Sequence, residues 1–277
     1  MSSENRLARV ALAIAALLLF VPIMGCVTNP ATGKKDLILI GTAEEVRMGS
    51  DFHAKMLQDF KPVTSAPYSK RSLAIGEKIA AVSDRQDIAY SFTVVEADDM
   101  NAFAVPGGFV YVTTGLMRSA DEDELAAVVG HEVGHIAARH SVKQMQTAMA
   151  ASLLLVLVSE NTDKDEYVVA AAAAFQLVML GYSRRDEYEA DLLGARYAWR
   201  SGYSPYGMSS FLQKLQKANQ NSGSLPEFLS THPDLGKRVG RVNEVIRNEM
   251  LRPDGNLLPP PAMQERPQQQ PEVTNPS

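Results

Sequence analysis

The chain has 277 residues, of which 45% are hydrophobic and 21% charged, enough for one sizeable core with extra segments at both ends. The formal net charge of -5 lacks the basic excess of nucleic-acid-binding proteins, so no nucleic-acid partner is expected. The single cysteine, Cys26, excludes an intramolecular disulfide bond.

A short apolar segment near the N-terminus has the pattern of a secretory signal. Arg6 and Arg9 precede an apolar run, residues 10–25, that is shorter than the roughly 20 residues of a membrane-spanning helix. The end of this run, Ile-Met-Gly-Cys, resembles a bacterial lipobox, which implies cleavage before Cys26 and lipidation of its thiol. An ordinary signal anchor with an incidental cysteine is the alternative. The residue after Cys26 is Val27 and not aspartate. This resembles lipoproteins of Gram-negative bacteria that are sent to the outer membrane, facing the periplasm, rather than retained at the inner membrane.

Two helices are predicted in the next part of the chain. Thr42 and Glu45 have capping-box spacing, so a helix is expected over residues 43–60. His53 lies on it, and we assign it no role because a lone helical histidine usually packs or faces solvent. A second helix is predicted over residues 69–82 from its apolar positions.

Three short strands are predicted next, over residues 90–95, 101–105 and 109–113. Pro-Gly-Gly at residues 106–108 joins the last two into a hairpin. This block is either a plain structural sheet or a sheet with one strand at the edge of a functional site. In the second case an extended polypeptide adds to the edge by main-chain hydrogen bonds, at Asn101, Ala102 and Phe103.

The stretch LAAVVGHEVGHIAARH predicts a helix that carries a metal-binding motif. Ser119 and Glu122 have capping-box spacing and are expected to open this helix. His131 and His135 lie one turn apart on one face, so both imidazoles can bind one metal ion. Glu132 can reach a water on that metal as a general base.

A further ligand has to come from elsewhere in the chain. The extended zinc motif HExxHxxGxxH needs glycine at 138 and histidine at 141, where this chain has Ala138 and Ser141. The helix SRRDEYEADLLGARYAWR offers Glu187 and Asp191, four residues apart on one face. Glu187 would complete a His2Glu zinc site, and Asp191 would accept a hydrogen bond from the outer nitrogen of a ligand histidine. A solvated acidic face with nearby arginines is the alternative.

Two apolar runs, residues 148–158 and 168–180, flank a polar link at residues 159–166. Each run is too short to cross a bilayer. They predict a buried helical hairpin, or else a surface flap over the cleft or against lipid.

Two interpretations of His232 are open from the residues alone. It caps the last helix from a loop, or it donates a hydrogen bond to the oxyanion of the reaction. Arg238 would steady a carboxylate or the oxyanion, or lie on the helix surface.

The HEVGH motif, the later SRRDEYEAD and the hairpin over residues 101–115 together resemble the zinc metallopeptidase family of HtpX and the CAAX-prenyl proteases. The lipobox, NPATGKK and THPDLGKR resemble the periplasmic lipoprotein branch of that family, and the similarity covers roughly residues 26–250. The resemblance implies one zinc ion per chain, with Glu132 as base and Asp191 supporting a ligand. It also implies His232 as a fourth ligand in the resting enzyme and His131, His135 and Glu187 as the zinc ligands.

We therefore expect an α+β, mostly helical zincin-like domain with a small β-sheet beside the HExxH helix. The expected boundaries are a signal peptide at 1–25, a tether at 26–41, the peptidase domain at 42–252 and a disordered Pro/Gln-rich tail at 253–277.

The expected function is zinc-dependent cleavage of unfolded or misassembled envelope proteins. The expected partners are extended polypeptides, the membrane through a lipid on Cys26, and outer-membrane assembly machinery. A non-catalytic envelope chaperone with a structural zinc site is the alternative, and a zinc amidase acting on cell-wall peptides is a third.

Overall fold

The computed structural model describes residues 26–31, 33–64, 66–158, 182–222, 227–232 and 235–260. The fold is mostly helical with two small sheets, as the sequence predicts for the α+β class. In chain order the elements are β1 (Cys26–Thr28), β2 (Lys35–Leu37), α1 (Thr42–Asp59), α2 (Ala66–Val82), β3 (Ser91–Val95), β4 (Ala102–Val105), β5 (Phe109–Thr113), α3 (Thr114–Ser119), α4 (Glu122–Ala137), α5 (His140–Val158), α6 (Arg184–Arg200), α7 (Gly207–Ser222), α8 (Glu227–Thr231), α9 (Leu235–Val245) and a π-helical turn (Ile246–Met250).

The larger sheet has the strand order β3-β5-β4, and β4 lies at its edge. β4 and β5 pair antiparallel as the predicted hairpin, whereas β3 pairs parallel with β5. The hairpin turn needs glycine, because Gly107 and Gly108 have φ angles of +84° and +101°. The β4 edge lies beside α4, the helix that contains HEVGH.

The predicted tether is partly β-structure. β1 and β2 form an antiparallel ribbon that pairs Cys26 with Leu37. The side chain of Asn29, in its turn, donates to Asp36 Oδ2 at 2.8 Å and to the carbonyl of Ala138 at 3.2 Å. Strands of three residues carry too little alternation to be predicted, and here the ribbon packs against the end of α4.

Both predicted capping boxes are wrong. Gly41 is the N-cap of α1, and the Thr42 hydroxyl donates to Asp87 instead. The box that opens α4 lies two residues later than predicted, at Asp121 and Glu124. Asp121 Oδ1 accepts from the Glu124 N–H at 2.8 Å, and Glu124 Oε2 accepts from the Asp121 N–H at 3.1 Å. The earlier Ser119 cannot cap α4 because it ends α3.

Glu45, predicted to cap, is instead a buried ion-pair centre. Its carboxylate accepts from Arg85 at 2.7 and 2.9 Å and pairs with Arg139 at 2.7 Å. Arg85 also donates to the carbonyl of Ile136 at 3.1 Å. The network therefore links α1 to the last turn of α4.

Helix α4 is the centre of the core, and from Glu124 to Ala137 every residue is buried. Helices α2, α6 and α7 and the larger sheet surround it. Helix α5 contains the first predicted apolar run, while the link 159–166 and the run 168–180 lie outside the described residues. Within the described ranges, no helix has the length and apolar content needed to cross a bilayer.

The predicted disordered tail starts too early. Residues 253–260 turn back on the domain, with a bridge between Leu251 and Leu257. Leu258 accepts a hydrogen bond from Trp199 Nε1 at 3.1 Å, and its N–H donates to Met250 at 2.8 Å. The indole N–H of Trp199 on α6 thus gives this segment a hydrogen-bond donor, which the composition of the segment cannot predict. The predicted signal segment, 1–25, and residues 261–277 lie outside the described part of the chain.

Candidate metal centre

Close packing of α4 and α6 brings the two predicted motifs together. At Gly194 of α6, a Cβ atom would lie 2.8 Å from the backbone nitrogen of His131 and 3.0 Å from the carbonyl oxygen of Ala127. Only a residue without a side chain allows the two backbones to approach so closely. Glu187 and Asp191 then face α4, so the alternative of a solvated acidic face is wrong.

Four side chains bring one ligand atom each to a common point: His131, His135, Glu187 and His232. These atoms lie within 4.8 Å of one another, and all four residues are buried. His131 Nε2 is 3.0 Å from His135 Nε2 and 3.3 Å from His232 Nδ1. Glu187 Oε1 is 3.0 Å from His232 Nδ1 and 3.5 Å from His135 Nε2.

The spacing and chemistry of these donors fit a zinc ion. Tetrahedral zinc with bonds of about 2.0–2.1 Å separates its ligand atoms by roughly 3.3 Å. Imidazole nitrogens with one carboxylate are donors that zinc accepts. Without a metal ion, three buried imidazoles and a buried carboxylate would face one another at a cost in desolvation.

Asp191 contacts the outer nitrogen of His131, and Arg238 in turn contacts Asp191. Arg238 is fully buried and donates to both oxygens of Asp191, at 2.7 and 2.8 Å. Asp191 Oδ1 lies 3.0 Å from His131 Nδ1, on the side of the ring away from the donors. Burial alone would raise the pKa of Asp191, but Arg238 and His131 outweigh it and hold that pKa at about 2. The helix-surface interpretation of Arg238 is therefore wrong.

Glu132 lies next to the donors but is not one of them. It is fully buried, and neither carboxylate oxygen has a hydrogen-bond partner among the described residues. Burial raises the pKa of Glu132 to about 8, against the opposing effect of His232. A carboxylate kept buried without a partner costs stability, so its position points to chemistry.

His232 belongs to the donor cluster, and the helix-capping interpretation is wrong. It follows α8, its ring stacks on Phe228 at 4.3 Å, and Nδ1 points at the other donors. Its Nε2 lies 3.4 Å from Glu132 Oε1. One ring thus contacts both a donor, Glu187, and the carboxylate of Glu132. Burial would lower the pKa of His232, but Glu187 and Glu132 raise it overall.

The profile of peptidase family M48 matches residues 69–246, which is more than half of the chain. The chain belongs to peptidase family M48.

Several curated proteins are similar to this M48 chain. It is 28% identical over 218 residues to the beta-barrel assembly-enhancing protease of Escherichia coli (strain K12), covering 74% of this chain and 44% of that protein. It is 31% identical over 196 residues to the mitochondrial metalloendopeptidase OMA1 of Schizosaccharomyces pombe, covering 70% and 56%. It is 29% identical over 187 residues to the metalloprotease LoiP of Escherichia coli (strain K12), covering 65% and 71%. The chain therefore spans less than half the length of the first of these relatives.

His140 contacts the donor cluster, and motif spacing does not reveal this contact. Its Nδ1 lies 2.9 Å from His135 Nδ1, and its Nε2 lies 3.5 Å from both Asp186 and Glu189. Arg139, two residues after the end of α4, has a φ of +56°, and this left-handed turn directs His140 back toward His135.

Tyr182 also contacts the M48 site. Its ring stacks on His135 at 3.8 Å with an interplanar angle of 20°, and its hydroxyl lies 2.7 Å from Ser141 Oγ. Burial raises the pKa of Tyr182 above its usual range. No spacing rule connects it to HEVGH, because the contact is tertiary.

The predicted substrate strand, β4, is the edge strand of the sheet beside this site. Thr113 N donates to the carbonyl of Asn101 at 3.0 Å, which makes these residues a hydrogen-bonded pair of the hairpin. In an antiparallel ladder such pairs alternate, so the backbone groups of Ala102 and Ala104 point away from β5 and those of Phe103 point toward it. Ala102 and Ala104 are both buried. The side chain of Phe103 stacks on Tyr111, on the sheet face that α1 covers.

Proposed function

We propose that the chain is a zinc-dependent metalloendopeptidase that cleaves unfolded or misassembled proteins of the cell envelope. The observation that carries the proposal is Glu132, a buried carboxylate without a hydrogen-bond partner among the described residues, placed beside four metal donors. A purely structural zinc site has no use for such a group.

His131, His135 and Glu187 would hold the zinc ion, and Asp191 with Arg238 would fix the ring of His131. Bound zinc supplies Lewis acidity, which polarises a carbonyl and lowers the pKa of a water toward about 7. Glu132 takes the proton of the attacking water and passes it to the leaving amine. A positive charge bound beside Glu132 lowers its pKa from about 8 toward the working pH.

His232 would regulate this reaction by occupying the fourth position of the metal. Its Nδ1 lies among the donor atoms, and in that position it excludes the water that Glu132 activates. Movement of α8 would withdraw the ring and open the position for substrate and water.

An extended polypeptide would bind along β4, where the main-chain groups of Ala102 and Ala104 point away from β5. Main-chain pairing selects for unfolded segments rather than for a sequence. Lipidation of Cys26 would hold the domain on the outer membrane, facing the periplasm. The names of two relatives, the beta-barrel assembly-enhancing protease and the metalloprotease LoiP, support a role in envelope protein assembly or quality control.

A structural zinc site in a non-catalytic chaperone is the second candidate, favoured by one observation. Four protein donors, including His232, close the site in the manner of structural zinc.

Glu132→Gln separates the two functions, because the variant keeps the shape of the side chain and removes the base. We expect zinc to be retained and cleavage of casein by the full chain to fall by about 10²- to 10⁴-fold. Glu122→Gln, an exposed substitution on the same helix, is the matched control. A parent protein that binds zinc and cleaves neither casein nor unfolded envelope proteins would favour the chaperone.

A further inference from the structure

The outer face of α6 lines a cavity of about 570 Å³ that is separate from the metal centre. Glu187 and Asp191 lie on the buried face of the same helix. The other walls come from α9 and from the turn of the β1–β2 ribbon. Its described lining holds one carboxylate, that of Glu189, and five cationic side chains: Lys34, Arg184, Arg185, Arg196 and Arg241.

Part of this charge is compensated inside the protein. Arg196 donates to both oxygens of Glu249, at 2.6 and 2.8 Å. Glu189 lies 3.5 Å from His140 Nε2, and the pKa of Glu189 is low in spite of burial because His140 and Lys143 stabilise its charge. The one lining carboxylate is therefore already engaged.

Two guanidinium groups keep their charge available to a ligand. Neither Arg185 nor Arg241 has a carboxylate partner within the described ranges. Arg241 lies 4.0 Å over the ring of Tyr188, a stacking contact that holds the guanidinium at the cavity wall. Guanidinium groups bind phosphate oxygens by paired hydrogen bonds, so the cavity suits an anionic phosphate group.

The cavity also has an apolar part. Ala31, Leu192 and Leu193 line it together with the ring of Tyr188. Inorganic phosphate has no atoms to pack on these side chains, whereas the glycerol of a phospholipid headgroup does. A cavity of this volume is within the range of small-ligand sites.

The position of the cavity indicates where such a headgroup would come from. Lys34 follows the ribbon turn, and Cys26 lies three residues, about 10 Å, along β1 from Asn29 at the start of that turn. Three large apolar side chains in and after the ribbon are exposed, Val27 at 46%, Leu37 at 45% and Leu39 at 59%. Apolar side chains beside a lipid-bearing residue and cations next to them form a surface suited to an anionic bilayer.

We propose that this cavity binds the phosphate of an anionic phospholipid headgroup in the membrane to which Cys26 anchors the chain. That the ligand comes from the membrane rests on the lipid anchor in the proposed function. That the cavity binds a phosphate group rests only on its lining residues. The headgroup would seat the outer face of α6 on the bilayer and leave the buried face to the metal centre.

The test is a calorimetric titration of the full chain in a nonionic detergent, with dihexanoylphosphatidylglycerol as the probe. We expect saturable binding, weakened about tenfold or more by Arg185→Gln with Arg241→Gln, because two charge-assisted contacts are lost. Arg47→Gln with Lys70→Gln removes the same charge from α1 and α2, outside the cavity, and should bind like the parent. Thermal melting of each variant checks that it folds.

Two further probes identify the source of the phosphate. Weaker binding of inorganic phosphate and of dihexanoylphosphatidylcholine supports the headgroup proposal. Equal binding of inorganic phosphate, equal binding of phosphatidylcholine, an equal loss in the control variant, or no binding by the parent would each overturn it. The titration needs neither peptide cleavage nor acylation of Cys26, so its failure would leave the proposed peptidase activity unaffected.

Discussion

His232 Nδ1 lies 3.0 Å from Glu187 Oε1, a contact that joins α8 to the helix carrying the carboxylate donor. The opposite nitrogen of the same ring faces Glu132 at 3.4 Å. A single imidazole therefore contacts a metal donor and the proposed base at once. Its removal should change metal binding and base availability together.

His232→Ala should weaken zinc binding and increase cleavage of an unfolded substrate. If the ring is favoured in the fourth position by about 1.4 kcal/mol, roughly one molecule in ten is open, and removal raises the rate up to about tenfold. Zinc affinity is measured by chelator competition, and cleavage is measured with labelled casein. His53→Ala is the control, since this ring contacts Tyr111 and Phe109 away from the donors. A variant with unchanged zinc affinity and unchanged cleavage would remove His232 from the site.

Glu132→Gln should stabilise the metal-free protein at pH 8 and have little effect at pH 4. The pKa of Glu132 is raised from 4.5 to about 8, so the unfolded chain ionises first and stability is lost as pH rises between these values. The loss is on the order of a few kcal/mol at most. Urea unfolding of the chelator-treated proteins at both pH values measures it, with exposed Glu244→Gln as the control. Parallel pH profiles for parent and variant would mean that Glu132 is ionised in the folded protein.

His140→Ala should weaken zinc binding by about 10- to 100-fold. When His135 binds metal through Nε2, its Nδ1 carries the proton, and His140 Nδ1 is the acceptor 2.9 Å away. His140→Asn keeps an acceptor near that position and should recover part of the affinity. Chelator competition compares the three proteins. If the asparagine variant binds as weakly as the alanine variant, His140 acts by packing alone.

Glu45→Ala should lower the free energy of unfolding by about 3 to 5 kcal/mol, because it removes the buried partner of Arg85 and leaves that guanidinium only Asp87, whose side chain is 55% exposed. Its neighbour Glu44 provides a matched control. The Glu44 side chain is 49% exposed and pairs with Arg47 at the surface, so Glu44→Ala should leave the free energy of unfolding almost unchanged. Chemical denaturation measures the free energy of unfolding of both variants. An equal loss in the two variants would contradict a structural role for the buried network.

Local periodicity explains what the sequence could predict about the site. His131, Glu132 and His135 follow from one helix, and Glu187 with Asp191 from another, because i,i+4 spacing fixes a shared face. Helical spacing does not predict contacts between residues that are far apart in the sequence. Glu45 looked like a cap because its partner Arg85 is 40 residues away.

The same limit applies to other elements. His140 reaches His135 only through the left-handed turn at Arg139, and helical periodicity does not predict that turn. Residues 253–260 look disordered by composition, yet Trp199 gives Leu258 a hydrogen-bond partner. The ribbon of β1 and β2 was missed because its strands have three residues each.

If Cys26 carries a lipid, the ribbon of β1 and β2 would set the distance between the metal centre and the membrane. Asn29 fastens its turn to the carbonyl of Ala138, directly after the helix that carries HEVGH. With Cys26 acylated, the domain could move little relative to the lipid, because only a few residues separate Cys26 from the hydrogen bond between Asn29 and Ala138. The metal centre would then stay close to the bilayer. Unfolded chains at membrane assembly sites would reach it more readily than proteins in the surrounding solution.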